Sequence, residues 1–157
     1  MTLTDSDTAQ SAQDLEWTKR ALQTLTQLHG VVHGVVLTSD GMIKGASSGL
    51  SREAAEGAAA VTSGLQSCAR QVAGALSGLP GTALRQVVVE TGDGFVFSVP
   101  AGAHTHLVLY TTREADLGMV SYEVHRHIGN LGERVLTTSA RDGRDARDGR
   151  DARDPRG

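Results

Sequence analysis

The chain has 157 residues, 15 Lys+Arg against 18 Asp+Glu, and 39% apolar residues, which suits one core-forming domain with polar ends. Its single cysteine, Cys68, rules out an internal disulfide, no N-terminal signal pattern precedes the domain, and no run approaches the roughly 18 apolar residues of a spanning helix, so a cytoplasmic location is expected. Residues 1–136 carry nine Lys/Arg against thirteen Asp/Glu and aromatics make up only 3%, so the basic footprint and stacking platforms that nucleic acid needs are lacking.

Residues 1–11, MTLTDSDTAQS, are polar and without period and are expected to form a disordered arm. The spacing of Leu15, Leu22, Leu25 and Leu28 predicts a helix, with Ser11 and Asp14 at its start and Gly30 at its stop. VVHGVVLT, residues 31–38, is apolar on both alternating faces, as a central strand covered above and below should be. Asp40-Gly41 supplies positive-φ residues for a tight hairpin, and residues 42–46 return as a shorter partner strand.

Ser51 then caps a long helix reaching about Leu76, along which Ala54, Ala58, Val61, Leu65, Cys68, Val72 and Leu76 form an apolar stripe. Beside the stripe lie Gly57, Ala60, Gly64 and Ser67. A glycine inside a helix costs roughly 1 kcal/mol relative to alanine. Either close packing on the sheet or the close approach of a second helix would offset that cost.

Three strand candidates follow, LRQVVVE (84–90), GFVFSV (94–99) and HTHLVLY (104–110), joined by short glycine-containing turns as in an antiparallel meander. Asp116 caps a last helix carrying Leu117, Val120, Val124, Ile128, Leu131 and Val135. The order α-β-β-α-β-β-β-α predicts an α/β (α+β) sandwich over residues 12–137. Its core is a single five-stranded antiparallel sheet with helices on both faces. From residue 138 onward, and above all in RDGRDARDGRDARDPRG, balanced charge and helix breakers predict a disordered tail.

The chemistry such a domain could carry is limited. G-A-S-S-G, residues 45–49, matches a G-x-S-x-G nucleophile pattern. However, the strand before it is half of a hairpin, and four residues separate Gly49 from the helix body, so the strained strand-to-helix elbow is not expected. His104 and His106 would share one face of a strand, but with no third ligand in view metal is not expected. The G-x-x-x-x-G-K-[ST] phosphate loop is absent. No cofactor or reaction centre is legible, which leaves an interaction or ligand-sensing module.

The strings GVVLTSDGMIKGASSGLSREAAEGAAAVTSGLQSCAR and ADLGMVSYEV, in this element order, resemble the Roadblock / dynein light chain family. The similarity is strongest to its actinobacterial branch, encoded beside small Ras-like GTPases. The resemblance implies a non-catalytic, homodimeric, cytoplasmic adaptor or regulator that binds a small Ras-like GTPase and modulates or scaffolds its nucleotide cycle. It further implies association with a sensor-kinase-like membrane protein complex, and so a position peripheral to the membrane. The dimer contact would fall on Gly57, Ala60, Val61, Gly64 and on the edge strand with Val87, Val88 and Val89, since an exposed valine-rich edge needs a partner. The GTPase contact would fall on Arg52, Glu56 and Ser67, while Arg52, Arg70, Arg85 and Arg113 are candidates for a trans-acting arginine. The alternative is a small-ligand sensor of PAS- or profilin-like shape.

Overall fold

A computed structural model describes residues 5–102 and 104–129. Its elements are α1 (Asp5–Thr26), β1 (Val31–Thr38), β2 (Ile43–Ala46), α2 (Arg52–Ser77), β3 (Val87–Glu90), β4 (Gly94–Pro100) and β5 (Thr105–Thr112), followed by a helix over 117–129, here α3. The five strands form one antiparallel sheet in the order β2-β1-β5-β4-β3. This is the expected sandwich, with β1 inside the sheet between β2 and β5. The tail beginning at residue 138 lies outside the described residues.

One face of the sheet carries α1 and α3. Leu22 and Leu25 of α1, Val120 and Val124 of α3, and Val36, Phe97, Val99, Leu107 and Leu109 of the strands bury together there. Each such side chain contributes about 1.5–3 kcal/mol when fully removed from water. The single glycine within β1 belongs to this packing: a β-carbon on Gly34 would lie 2.8 Å from Leu22 Cδ2 and 2.9 Å from Leu109 Cδ2. On β2, Gly45 leaves room in the same way for Thr18 of α1, whose Cγ2 would be 2.5 Å from an added β-carbon. The glycines let α1 settle low over β1 and β2.

Several boundaries differ from expectation. The helix α1 begins at Asp5, so residues 5–11 belong to it, and Ser11 and Asp14 are interior positions, not a cap. That stretch holds no Gly or Pro, so nothing in its propensities stops the helix before the apolar pattern begins. In the Thr38–Met42 hairpin only Gly41 has positive φ, at 87°. The turn is closed by Thr38 N donating to Met42 O at 2.8 Å and Gly41 N donating to Thr38 O at 2.9 Å, beside a register shift between Val36 and Leu37. Strand β3 starts at Val87, not Leu84. Gln86, just before it, turns its side chain to α3, where Oε1 lies 3.5 Å from Ser121 Oγ and 3.4 Å from His125 Nε2. Asp116 caps α3 as read, accepting from Met119 N at 3.1 Å.

Candidate functional site

The opposite face of the sheet carries α2, the longest of the described helices. Ser51 caps it, its side chain accepting from Ala54 N at 3.1 Å. Gly78, with φ 69°, ends it by donating to Gly74 O at 3.0 Å. Its buried residues are Ala55, Ala59, Thr62 and Gln66. Ala55 and Ala59 pack on Val35, Leu37 and Val108, and Gln66 Nε2 donates to Ser98 Oγ at 2.5 Å. The face that seats α2 on its own sheet is therefore small and polar, and buries little apolar surface.

The apolar stripe runs along the flank instead. Ala54, Ala58, Val61 and Leu65 form one wall of an open groove of about 500 Å³, whose floor and far side are Val35, Val89, Val96, Val108 and Tyr110. Val61 is 72% exposed and Leu76, near the end of the stripe, 85% exposed. A stripe of this kind would ordinarily be buried, so a single copy leaves a core-like surface open. The groove continues to β3, which among the described residues pairs with β4 alone and forms an edge of the sheet. Register opposite Ser98 and Val96 puts Val87 and Val89 on the groove side, while Val88, opposite Phe97, faces the α1/α3 side and is 42% exposed.

The glycine notch points elsewhere. At 100° per residue, Gly57 and Gly64 fall nearly opposite Ala55, Ala59 and Gln66, and an added β-carbon at either would meet nothing within 4 Å. Close packing on their own sheet is thus not what these glycines serve. Ala60 is also exposed, on the side where α2 passes Gly41 of the hairpin, whose added β-carbon would lie 3.3 Å from Ala60 Cα. On this outer surface Arg52 and Glu56 form an exposed ion pair, Nε to Oε1 2.8 Å. The hydrogen bond and charge of Glu56 hold the guanidinium above its ordinary pKa. Ser67 accepts from Gln71 Nε2 at 3.2 Å. The nominated residues thus divide: Val61, Val87 and Val89 border the groove, whereas Arg52, Glu56, Gly57, Ala60, Gly64 and Ser67 lie away from it. Arg113 is engaged locally, Nη1 donating to Gly92 O at 2.9 Å with Glu90 3.9 Å away.

The serine and histidine candidates have definite places in the sheet. Ser47 Oγ accepts from Gly34 N at 3.0 Å and lies 3.5 Å from His33 Nδ1, tying the end of β2 to β1. Gly49, with φ 88°, turns the chain toward Ser51. His104 sits ahead of β5 with φ 60° and is exposed, while His106 is buried, so the two do not share a strand face as expected. His33, Leu50 and Tyr110 border the groove but were not among the nominated residues, because their convergence follows from sheet order and not from local pattern.

Residues 18–111 match the model of the Roadblock/LC7 domain. The fold is similar to that of a Roadblock/LC7 domain from Streptomyces avermitilis, with 30% identity, a TM-score of 0.66, and coverage of 74% of this chain and 96% of that one. It is also similar to Myxococcus xanthus MglB (12% identity, TM-score 0.69, 87% and 96% covered) and to the gliding protein MglB from Thermus thermophilus (17%, 0.65, 76% and 89%). No curated protein sequence matches. The family model and the Streptomyces domain together cover most of the sheet and α2: the chain belongs to the Roadblock/LC7 domain family.

Proposed function

We propose that the protein is a non-catalytic, homodimeric adaptor that binds a small Ras-like GTPase and modulates or scaffolds its nucleotide cycle. The observation that carries this reading is the outward apolar flank of α2, continuous with the groove and with the free edge of β3. A second copy related by a twofold axis would extend the sheet edge to edge through Val87, Val88 and Val89, covering the groove with the flank of its own α2. Val61 and Leu65 then belong to the pairing surface. The groove is open to solvent and lined almost wholly by apolar side chains, which suits a helix flank better than the enclosed pocket of a small-ligand sensor.

The outer face of α2 remains available in such a pair. Gly57 and Gly64, within about 60° of Val61 around the helix, border the pairing surface with Ala60 and let a second backbone come close, while Arg52, Glu56 and Ser67 give the outer face polar handles. We assign the GTPase contact there. Among the described residues no helix is long and apolar enough to cross a membrane; association with a sensor-kinase-like membrane complex through bound partners belongs to the same proposal.

The test has two arms. Sedimentation velocity should show a dimer at micromolar concentration; a monomer throughout would refute the pairing. Immobilised protein should retain Ras-like GTPases from the same source, with a preference for one nucleotide state if it regulates and none if it scaffolds. Failure to retain either state would refute the adaptor reading.

A further inference from the structure

Of the six histidines, His106 alone is buried, at 5% exposure. It lies on the α2 side of β5, in register with Leu37 of β1 and Pro100 of β4. Its Nε2 is 3.3 Å from Ser39 Oγ, and its Nδ1 has no hydrogen-bond partner among the described residues. Ser39 is itself a junction. Its N–H donates to His104 O at 2.9 Å, and its carbonyl accepts from Ser63 Oγ of α2 at 2.6 Å. Three elements, the 39–42 hairpin, the start of β5 and the middle of α2, meet through one residue that the imidazole touches.

A neutral imidazole fits this setting as the Nε2–H tautomer, which donates to the Ser39 hydroxyl and leaves no buried N–H unpaired. An imidazolium does not fit. It carries two N–H donors, and among the described residues only Nε2 has a partner within hydrogen-bond distance, Ser39 Oγ. Among the described residues no carboxylate pairs with the imidazole. From α2 the charged neighbour is Arg70, of the same sign, and burial first and Arg70 second push the imidazole below its ordinary value of 6.5. The hairpin carries Asp40, but its carboxylate takes the hydroxyl of Thr38. The turn ahead of β5 carries the exposed His104, and the in-register neighbours Leu37 and Pro100 are uncharged.

The geometry points to a proton-sensitive seat for α2: proton uptake by His106 breaks the Ser39 junction and loosens the middle of α2, together with the 39–42 hairpin, from the sheet. Since the folded state disfavours the charged form, the stability from this contact is complete above pH 6.5. It is lost as pH falls below that value, at up to about tenfold in the opening equilibrium per pH unit for one proton. The weak apolar seating of α2, through Ala55 and Ala59, is why one polar junction has leverage there.

The experiment uses the full chain at neutral and mildly acidic pH. Imidazole NMR follows the titration of His106, and amide exchange compares protection in α2 and the hairpin with protection in α1. Between about pH 7.5 and 5.5, protection over residues 59–70 and 39–42 should fall several-fold, up to about tenfold, relative to α1. In His106→Gln, whose amide can still bond Ser39, that difference should disappear. His127→Gln, altered on α3, should keep the wild-type response. An unaltered pH response in His106→Gln would overturn the inference, as would wild-type His106 titrating at or above the ordinary imidazole value. Both readouts lie within one copy, so failure here is distinct from failure of the proposed pairing.

Discussion

In a single copy Val61 is 72% exposed, so Val61→Asp should change the intrinsic stability of the fold by no more than about 0.5 kcal/mol. Across the proposed pair the same change acts differently. Covering the exposed part of a valine is worth about 1 kcal/mol, and enclosing an unpaired carboxylate against the apolar groove costs about 2 kcal/mol or more. A twofold interface counts both terms twice, about 6 kcal/mol in all, which raises the dissociation constant roughly ten-thousand-fold. Sedimentation velocity over a concentration series reads that constant, with circular dichroism as the check that the variant is folded. A folded variant that pairs as tightly as the wild type would show that the α2 flank is not the pairing surface.

Gly57→Ala and Gly64→Ala meet open space and remove the helix cost of glycine, so each should raise stability by about 0.5–1 kcal/mol in chemical denaturation. If a second copy approaches closely along these glycines, the same variants should weaken the pairing in sedimentation velocity. Ser51→Ala removes the α2 cap and should cost about 1 kcal/mol, read as a shifted denaturation midpoint. Gly94→Ala would drive a β-carbon into the carbonyl oxygen of Thr111. The cost should exceed about 3 kcal/mol, well beyond ordinary overpacking, and a variant with the wild-type midpoint would contradict the described β4–β5 pairing. Breaking the exposed Arg52–Glu56 pair with Glu56→Gln should leave the denaturation midpoint where it is, because solvent screens the two charges.

The element order, the central position of β1 and the caps at Ser51 and Asp116 were legible because each rests on local chemistry: period, turn residues and side chains that bond three residues away. The orientation of α2 was not. Periodicity finds an apolar stripe but cannot say which body covers it, and here the helix seats itself with alanines while Val61 and Leu65 face the groove. Gln66 would ordinarily be read as solvent-facing; its burial depends on Ser98, 32 positions away. His106 is comparable, since its partner Ser39 lies 67 positions earlier. Val61 stands only about 40° around the helix from Gly57, so spacing alone cannot part the stripe from the glycines beside it, and only the sheet shows which side is inward.

The two borders of the sheet are unlike. Strand β2 is four residues long, carries an exposed Lys44, and adjoins an irregular register, all features that discourage a stranger from adding to it. If copies join through β3, the union consumes both receptive borders and leaves only the blunt ones outermost. Growth would then halt at a two-copy slab, so the asymmetry would make self-assembly finite and guard against filament formation.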